Sequence, residues 1–199
     1  MGLEIDILDQ YWKAEGKAGF VKLHIMVYNV AEAVQGILKI LKKHKGEKIS
    51  RLRFFGHGIE GSQFVGVKCK NAKKEKIAVD RDDWKRSIIG FARKNTVFLN
   101  QGELAKLKGK FATKKGFWDS LTSTAPPAVV ELRGCSVGGG EDGKRLIKWL
   151  SELWQVGVRA AEQDQLSGDK DTTNEWEGTV FESINGASPQ PITPAAARN

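Results

Sequence analysis

Residues 128–143 read Ala128-Val129-Val130-Glu131-Leu132-Arg133-Gly134-Cys135-Ser136-Val137-Gly138-Gly139-Gly140-Glu141-Asp142-Gly143. Val129, Val130 and Leu132 make a short β-rich run, Gly134 frees the backbone, and Cys135 stands where the strand ends. A glycine-rich loop over 136–140 follows, and Glu141 opens a helix whose apolar Leu146, Trp149, Leu150 and Leu153 keep helical spacing. Strand, tight turn and helix in that order is how α/β proteins hold a reactive side chain at the carboxyl edge of a sheet. Residues 49–55 have the same form, an alternating strand that runs into Gly56-His57-Gly58. One strand therefore delivers a cysteine and another a histidine, each flanked by glycine.

Outward from these two strands, residues 20–29 read as a strand, expected to be central. Residues 30–44 form an amphipathic helix with Val34, Ile37, Leu38 and Leu41 on one face. Lys42, Lys43 and His44 suit its negative end, and Gly46 stops it. Strand, helix, strand predicts a parallel pair with a right-handed crossover. Residues 62–67 and 77–79 are expected as an edge hairpin around a lysine-rich turn, and Asp80 or Asp82 as the cap of a helix through Trp84, Ile88 and Phe91. A short helix at 104–107, a surface loop over 113–127, and strands at 156–161 and 176–184 complete the α/β reading. One domain spans 1–184, with residues 1–19 an extension that wraps the surface on Tyr11 and Trp12. From 185 to 199 the Pro-rich tail is expected to be disordered.

The 199 residues suffice for one domain with a real core. No charged and apolar leader opens the chain, Asp6 breaks a myristoylation pattern, and no apolar run reaches the length of a membrane span. The expected location is the cytoplasm, or another cell reached without a signal peptide, and no membrane partner is implied. Cys69 and Cys135 are too few for a disulfide framework. The net charge of +8 is uneven: residues 39–115 carry +15 and the flanks −2 and −5. That basic stretch is either a solvated lysine face or a contact surface for an acidic partner. Aromatics do not interleave with the lysines of 68–76, which argues against nucleic acid as the partner.

A thiol attacks a carbonyl as thiolate, so a reactive cysteine needs a base, and histidine has a suitable pKa at neutral pH. Glycine beside each residue lets a peptide approach and leaves backbone N–H groups for an oxyanion. Taken singly, Cys135 also reads as an inert buried thiol and His57 as a turn histidine; their joint placement favours a catalytic pair. His24 lies mid-strand and His44 on a lysine-rich helix end, so neither competes as base. Cys69 in Val-Lys-Cys-Lys reads as an incidental thiol on an exposed edge. The spacing of histidines and cysteines fits no metal site, so no metal or other cofactor is expected.

Phe54-Phe55-Gly56-His57-Gly58 and Val129-Val130-Glu131-Leu132-Arg133-Gly134-Cys135-Ser136 resemble the caspase-like (clan CD) cysteine peptidases. Residues 134–168 also resemble caspase-like domains of bacterial proteins. The resemblance, over about residues 20–184, implies a three-layer α/β/α sandwich with a mostly parallel sheet. It also implies a His57–Cys135 dyad and an oxyanion site from the N–H groups of Gly58 and Cys135. The chain departs from caspases in carrying Arg-Gly-Cys in place of Gln-Ala-Cys-x-Gly. It also separates histidine and cysteine by more than the roughly fifty residues usual there.

The leading expectation is a cysteine endopeptidase acting on protein or peptide through a thioester on Cys135. One alternative is a catalytically silent caspase-like domain that binds partners through the basic 39–115 surface. Another is a nucleotide binder using Gly138-Gly139-Gly140 at a helix N-terminus. Alternation and alignment of the two strands predict an ion pair between Arg53 and Glu131. In metacaspases the residue two before the nucleophile receives a basic substrate side chain; here that position is Arg133, which predicts an acidic residue at the cleavage site. Glu162 or Asp164 would neutralise Arg133 if placed at the pocket's other wall, with Glu131 a less suitable neutraliser.

Overall fold

A computed structural model describes residues 2–9, 23–65, 85–91, 97–112, 128–163, 176 and 178–193. Leu3, Ile5 and Ile7 alternate with Glu4 and Asp6, and the strand they form, β1 (Leu3–Asp9), lies inside the sheet. It pairs in parallel with β2 (His24–Val27) on one side and with β3 (Ile49–Phe55) on the other. The surface-wrapping extension expected at the N-terminus is thus in part an interior strand; Tyr11 and Trp12 fall outside the described residues. The strand expected to be central, β2, is the sheet's edge. Its His24 and Met26 are exposed, as an edge strand allows.

Five strands run parallel in the order β8 (Gly157–Ala161), β7 (Val129–Arg133), β3, β1, β2. β9 (Val180–Ile184) joins β8 antiparallel, and β10 (Gln190–Ile192) joins β9 antiparallel, giving a mixed, mostly parallel sheet of seven strands. The tail expected to be disordered from 185 therefore begins with a turn and an edge strand. Pro191 is tolerated there because an edge strand has one side without ladder partners.

Helix α1 (Val30–Lys43) matches the sequence expectation to within a residue. Asn29 caps it: its side-chain oxygen accepts from Glu32 N–H at 2.9 Å, while Glu32 accepts from Asn29 Nδ2 at 3.0 Å and from Tyr28 N–H at 2.9 Å. Gly46, at φ +85°, follows the helix end. Helix α2 (Gln101–Ala105) is a short turn, and α3 (Gly140–Trp154) follows β7. The crossovers β2–α1–β3 and β7–α3–β8 move in the same direction along the sheet, so right-handed connections put both helices on one face. Val30, Val34 and Ile37 of α1 and Leu146, Ile147 and Leu150 of α3 accordingly share a single core with Ile5, Ile7, Leu52, Phe54, Val130, Leu132 and Val158. Each such side chain contributes about 1.5–3 kcal/mol on burial. Trp154 joins α2 to α3 by donating Nε1–H to Leu104 O at 2.9 Å.

A second, antiparallel sheet of β4 (Gly58–Ile59), β5 (Ser62–Phe64) and β6 (Ile88–Gly90) branches from the end of β3. The helix expected through Ile88 and Phe91 is strand there. Ile88 and Ile89 are both buried, a pattern a strand covered on both faces can satisfy, and β-branched residues favour it. Residues 77–79, Asp80, Asp82, Trp84 and the loop over 113–127 lie outside the described residues. No helix among the described residues is long and apolar enough to cross a membrane.

Candidate active site

The sheet's second face is polar by alternation yet largely buried. In register across five strands stand Asp6, Arg53, Glu131, Arg159 and Glu182. The expected alignment of Arg53 with Glu131 holds, but the ion pair does not form between them. Arg53 binds Asp6 instead, while Glu131 takes Arg51 on Oε1 at 2.8 Å and Arg133 on Oε2. The carboxylate that takes Arg53 stands on its other side, on β1.

At the carboxyl edge of this sheet β3 and β7 end together, Phe55 opposite Arg133. Two residues beyond these are His57 and Cys135, and the loops that carry them touch through glycine. A Cβ on Gly134 would lie 3.0 Å from both His57 O and Gly58 Cα. One on Gly58 would lie 2.8 Å from Cys135 O and 3.0 Å from Cys135 N. Any larger residue at either place would force the loops apart. The backbones of Gly58 and Cys135, the expected oxyanion donors, are therefore in contact. His57 is exposed and Cys135 is half-buried and outside any disulfide.

The cysteine loop is fastened to the end of β8. Ser136 N–H donates to Gln163 O at 2.9 Å and Gly138 N–H to Ala161 O at 2.7 Å. Ser136 takes φ +53°, a left-handed turn that aims the chain into α3. On the histidine side, Gly61 N–H donates to Val137 O at 3.1 Å, closing β4 and its turn over the cysteine loop. The glycines at 138–140 serve this packing. Gly138 lies against the Ala160 carbonyl, Gly139 against the carbonyls of Ser136 and Glu162, and Gly140 against the Glu60 carboxylate. The space a phosphate would need at the α3 N-terminus is thus taken by the protein's own groups.

Arg133, expected at the floor of a substrate pocket, is buried. Its Nε donates to Glu131 Oε2 at 2.8 Å, its terminal nitrogen is 2.6 Å from the same oxygen, and its guanidinium lies 3.8 Å over the Trp176 ring. Burial pushes its pKa below the ordinary arginine value, and Glu131 partly offsets this. Its neutraliser is Glu131, contrary to expectation, because residues two apart on a strand share a face and Arg133 reaches back along its own strand. Glu162 is exposed just past β8, its N–H bonded to Thr179 O at 2.9 Å. Asp164 and Cys69 lie outside the described residues. His44 sits 3.2 Å from Glu47, and His24 lies on the far edge strand, both away from Cys135.

Two residues at this edge escaped the sequence reading. Asp9, fully buried, ends β1 beside Gly56: a Cβ there would lie 3.0 Å from Asp9 Cβ. Gln63, also fully buried, donates Nε2–H to His57 O at 3.2 Å and to Phe64 O at 3.0 Å. Alternation in Leu3–Ile7 was the available signal for the first. Nothing local marks the second, since its partner lies across a hairpin.

Comparison of the chain with models of known families, with curated proteins and with solved structures finds no match in any of the three.

Proposed function

We propose that the protein is a caspase-like cysteine endopeptidase that hydrolyses peptide bonds with His57 and Cys135. One observation carries the reading: neighbouring parallel strands β3 and β7 end together, and the glycine-flanked loops beyond them pack Gly58 against Cys135 and Gly134 against His57. Ligand and reaction sites of α/β sheets lie at this edge. His57 takes the thiol proton of Cys135 and the thiolate adds to the substrate carbonyl carbon. The resulting oxyanion is met by the N–H groups of Gly58 and Cys135. The His57 imidazolium returns its proton to the departing amine, leaving a thioester. His57 then takes a proton from water, which adds to the thioester and releases the acid and the thiol. The reading carries with it the three-layer sandwich of this class, and the burial of Asp6, Arg53 and Glu131 on the face away from α1 and α3 supports it.

The test is covalent labelling by peptides bearing an electrophilic warhead, located by mass spectrometry, beside a peptidase assay. Labelling at Cys135, lost together with activity in Cys135→Ala and His57→Ala proteins of unchanged melting temperature, is the expected result. A folded protein that neither cleaves nor labels would point to the binding-module alternative and its basic 39–115 surface. Full activity in Cys135→Ala overturns the mechanism.

A further inference from the structure

Two strands over from Cys135, a groove of about 510 Å³ opens between Gln163, Gly178, Thr179, Pro191, Ile192 and Thr193. Because β9 runs against the parallel strands and β10 against β9, Thr179 before β9 and Thr193 after β10 lie at the same sheet edge as Cys135. Ile192 pairs with Val180 and Val180 with Ala161, which puts them on the face of Arg133, the face that Cys135 continues by alternation. The groove is tied to the cysteine loop by Ser136 N–H donating to Gln163 O at 2.9 Å. Strand spacing of about 4.8 Å sets groove and thiol about 10 Å apart, a distance roughly three residues of extended peptide cover.

We propose that this groove receives a side chain of the substrate peptide and that it takes an uncharged one. The inference rests on the cysteine-peptidase reading and deepens it. None of the described residues that line it is charged. The cation that would have welcomed a carboxylate, Arg133, is withdrawn beneath Trp176 and bound by Glu131. Among the described residues an acidic side chain would find no cation there and a basic one no acid, so either would lose part of its hydration uncompensated. An apolar, hydroxyl or amide side chain meets neither cost and gains contact with Ile192, Pro191 and Thr179. With Arg133 so held, the acidic preference expected beside the scissile bond loses the cation that would receive it.

A positional-scanning fluorogenic library, varied over the three residues on the acyl side of the scissile bond, tests the assignment on the full chain. At one of these positions uncharged residues should be cleaved about tenfold faster than aspartate, glutamate, lysine or arginine. Thr193 is exposed, so Thr193→Lys should keep the fold and raise tolerance of aspartate at that same position by about tenfold, while Thr193→Glu should not. Preference for a charged residue at all three positions, or Thr193 variants that change no position, overturns the groove assignment even when Cys135 labels and cleaves. Absence of both cleavage and Cys135 labelling with every peptide overturns the peptidase reading and this inference with it.

Discussion

Arg53 holds Asp6 through two parallel hydrogen bonds, Nε to Oδ1 and a terminal nitrogen to Oδ2, each 2.7 Å, with both side chains almost wholly removed from water. The fork geometry matches guanidinium to carboxylate, and burial makes each partner depend on the other. Asp6→Ala or Arg53→Ala should each cost about 3–5 kcal/mol, because each deprives a buried charge of its two-bond counter-ion. Asp6→Leu combined with Arg53→Met should cost less than either single change. Urea denaturation of the four proteins checks this; strictly additive losses would mean the two residues act independently.

Glu131 is shared between two arginines of unequal burial, which separates their expected effects. Arg51 keeps 21% of its side chain exposed, whereas Arg133 keeps 4% and Glu131 none. Arg51→Ala should cost about 1 kcal/mol or less, since Glu131 remains bound to Arg133. Glu131→Ala should cost about 3–5 kcal/mol, leaving Arg133 buried beneath Trp176 without its acid. Equal losses in the two melting curves would reject the asymmetry.

The sequence makes the parallel core legible because β3, α1 and β7 each carry a clear period and a glycine stop, and α3 a helical period that ends at the left-handed Gln155. It also makes legible the meeting of the two glycine-flanked loops beyond β3 and β7, since register follows once these strands are neighbours. What fails is whatever depends on a partner far along the chain. Glu4, Asp6 and Asp9 make β1 look like a poor strand until Arg53 is seen to neutralise Asp6. Ile88 and Ile89 fit a helix face until their pairing with β5 is known. Arg133 reads as a pocket floor from its place beside Cys135, and only tertiary packing shows it turned back onto Glu131.

Gly58 and Gly102 offer a paired test of backbone contact. Gly102 lies exposed in α2 with nothing within 4 Å of an added Cβ, so Gly102→Ala should stabilise by about 0.5–1 kcal/mol and leave activity unchanged. At Gly58 the same methyl would strike the Cys135 backbone and the Val137 side chain. Gly58→Ala should lower kcat/KM about a hundredfold, the scale expected when a misplaced group disturbs reacting geometry by about 1 Å. Peptidase rates on protein shown folded by circular dichroism decide it; undiminished activity in Gly58→Ala would show that the loops need not touch.

Gln63 is the positioning residue whose loss should separate stability from turnover. Its carboxamide nitrogen donates to the carbonyls of His57 and Phe64 from a fully buried site, so it sets the height of the histidine loop against Cys135. Gln63→Leu keeps the bulk and removes the donor, and should cost about 1–3 kcal/mol of stability. Well below the melting temperature, kcat per folded molecule should still fall about tenfold with KM unchanged, because the loosened group acts in the transition state. A purely structural role would leave that kcat alone. Gln63→Glu is the sharper variant: an ionised carboxylate would point at two carbonyl oxygens with no proton to give either. It should therefore be less stable than Gln63→Leu, and should recover part of that difference as acid protonates the new side chain. A Gln63→Glu protein at least as stable as Gln63→Leu at neutral pH would show that the carbonyls of His57 and Phe64 do not depend on this donor.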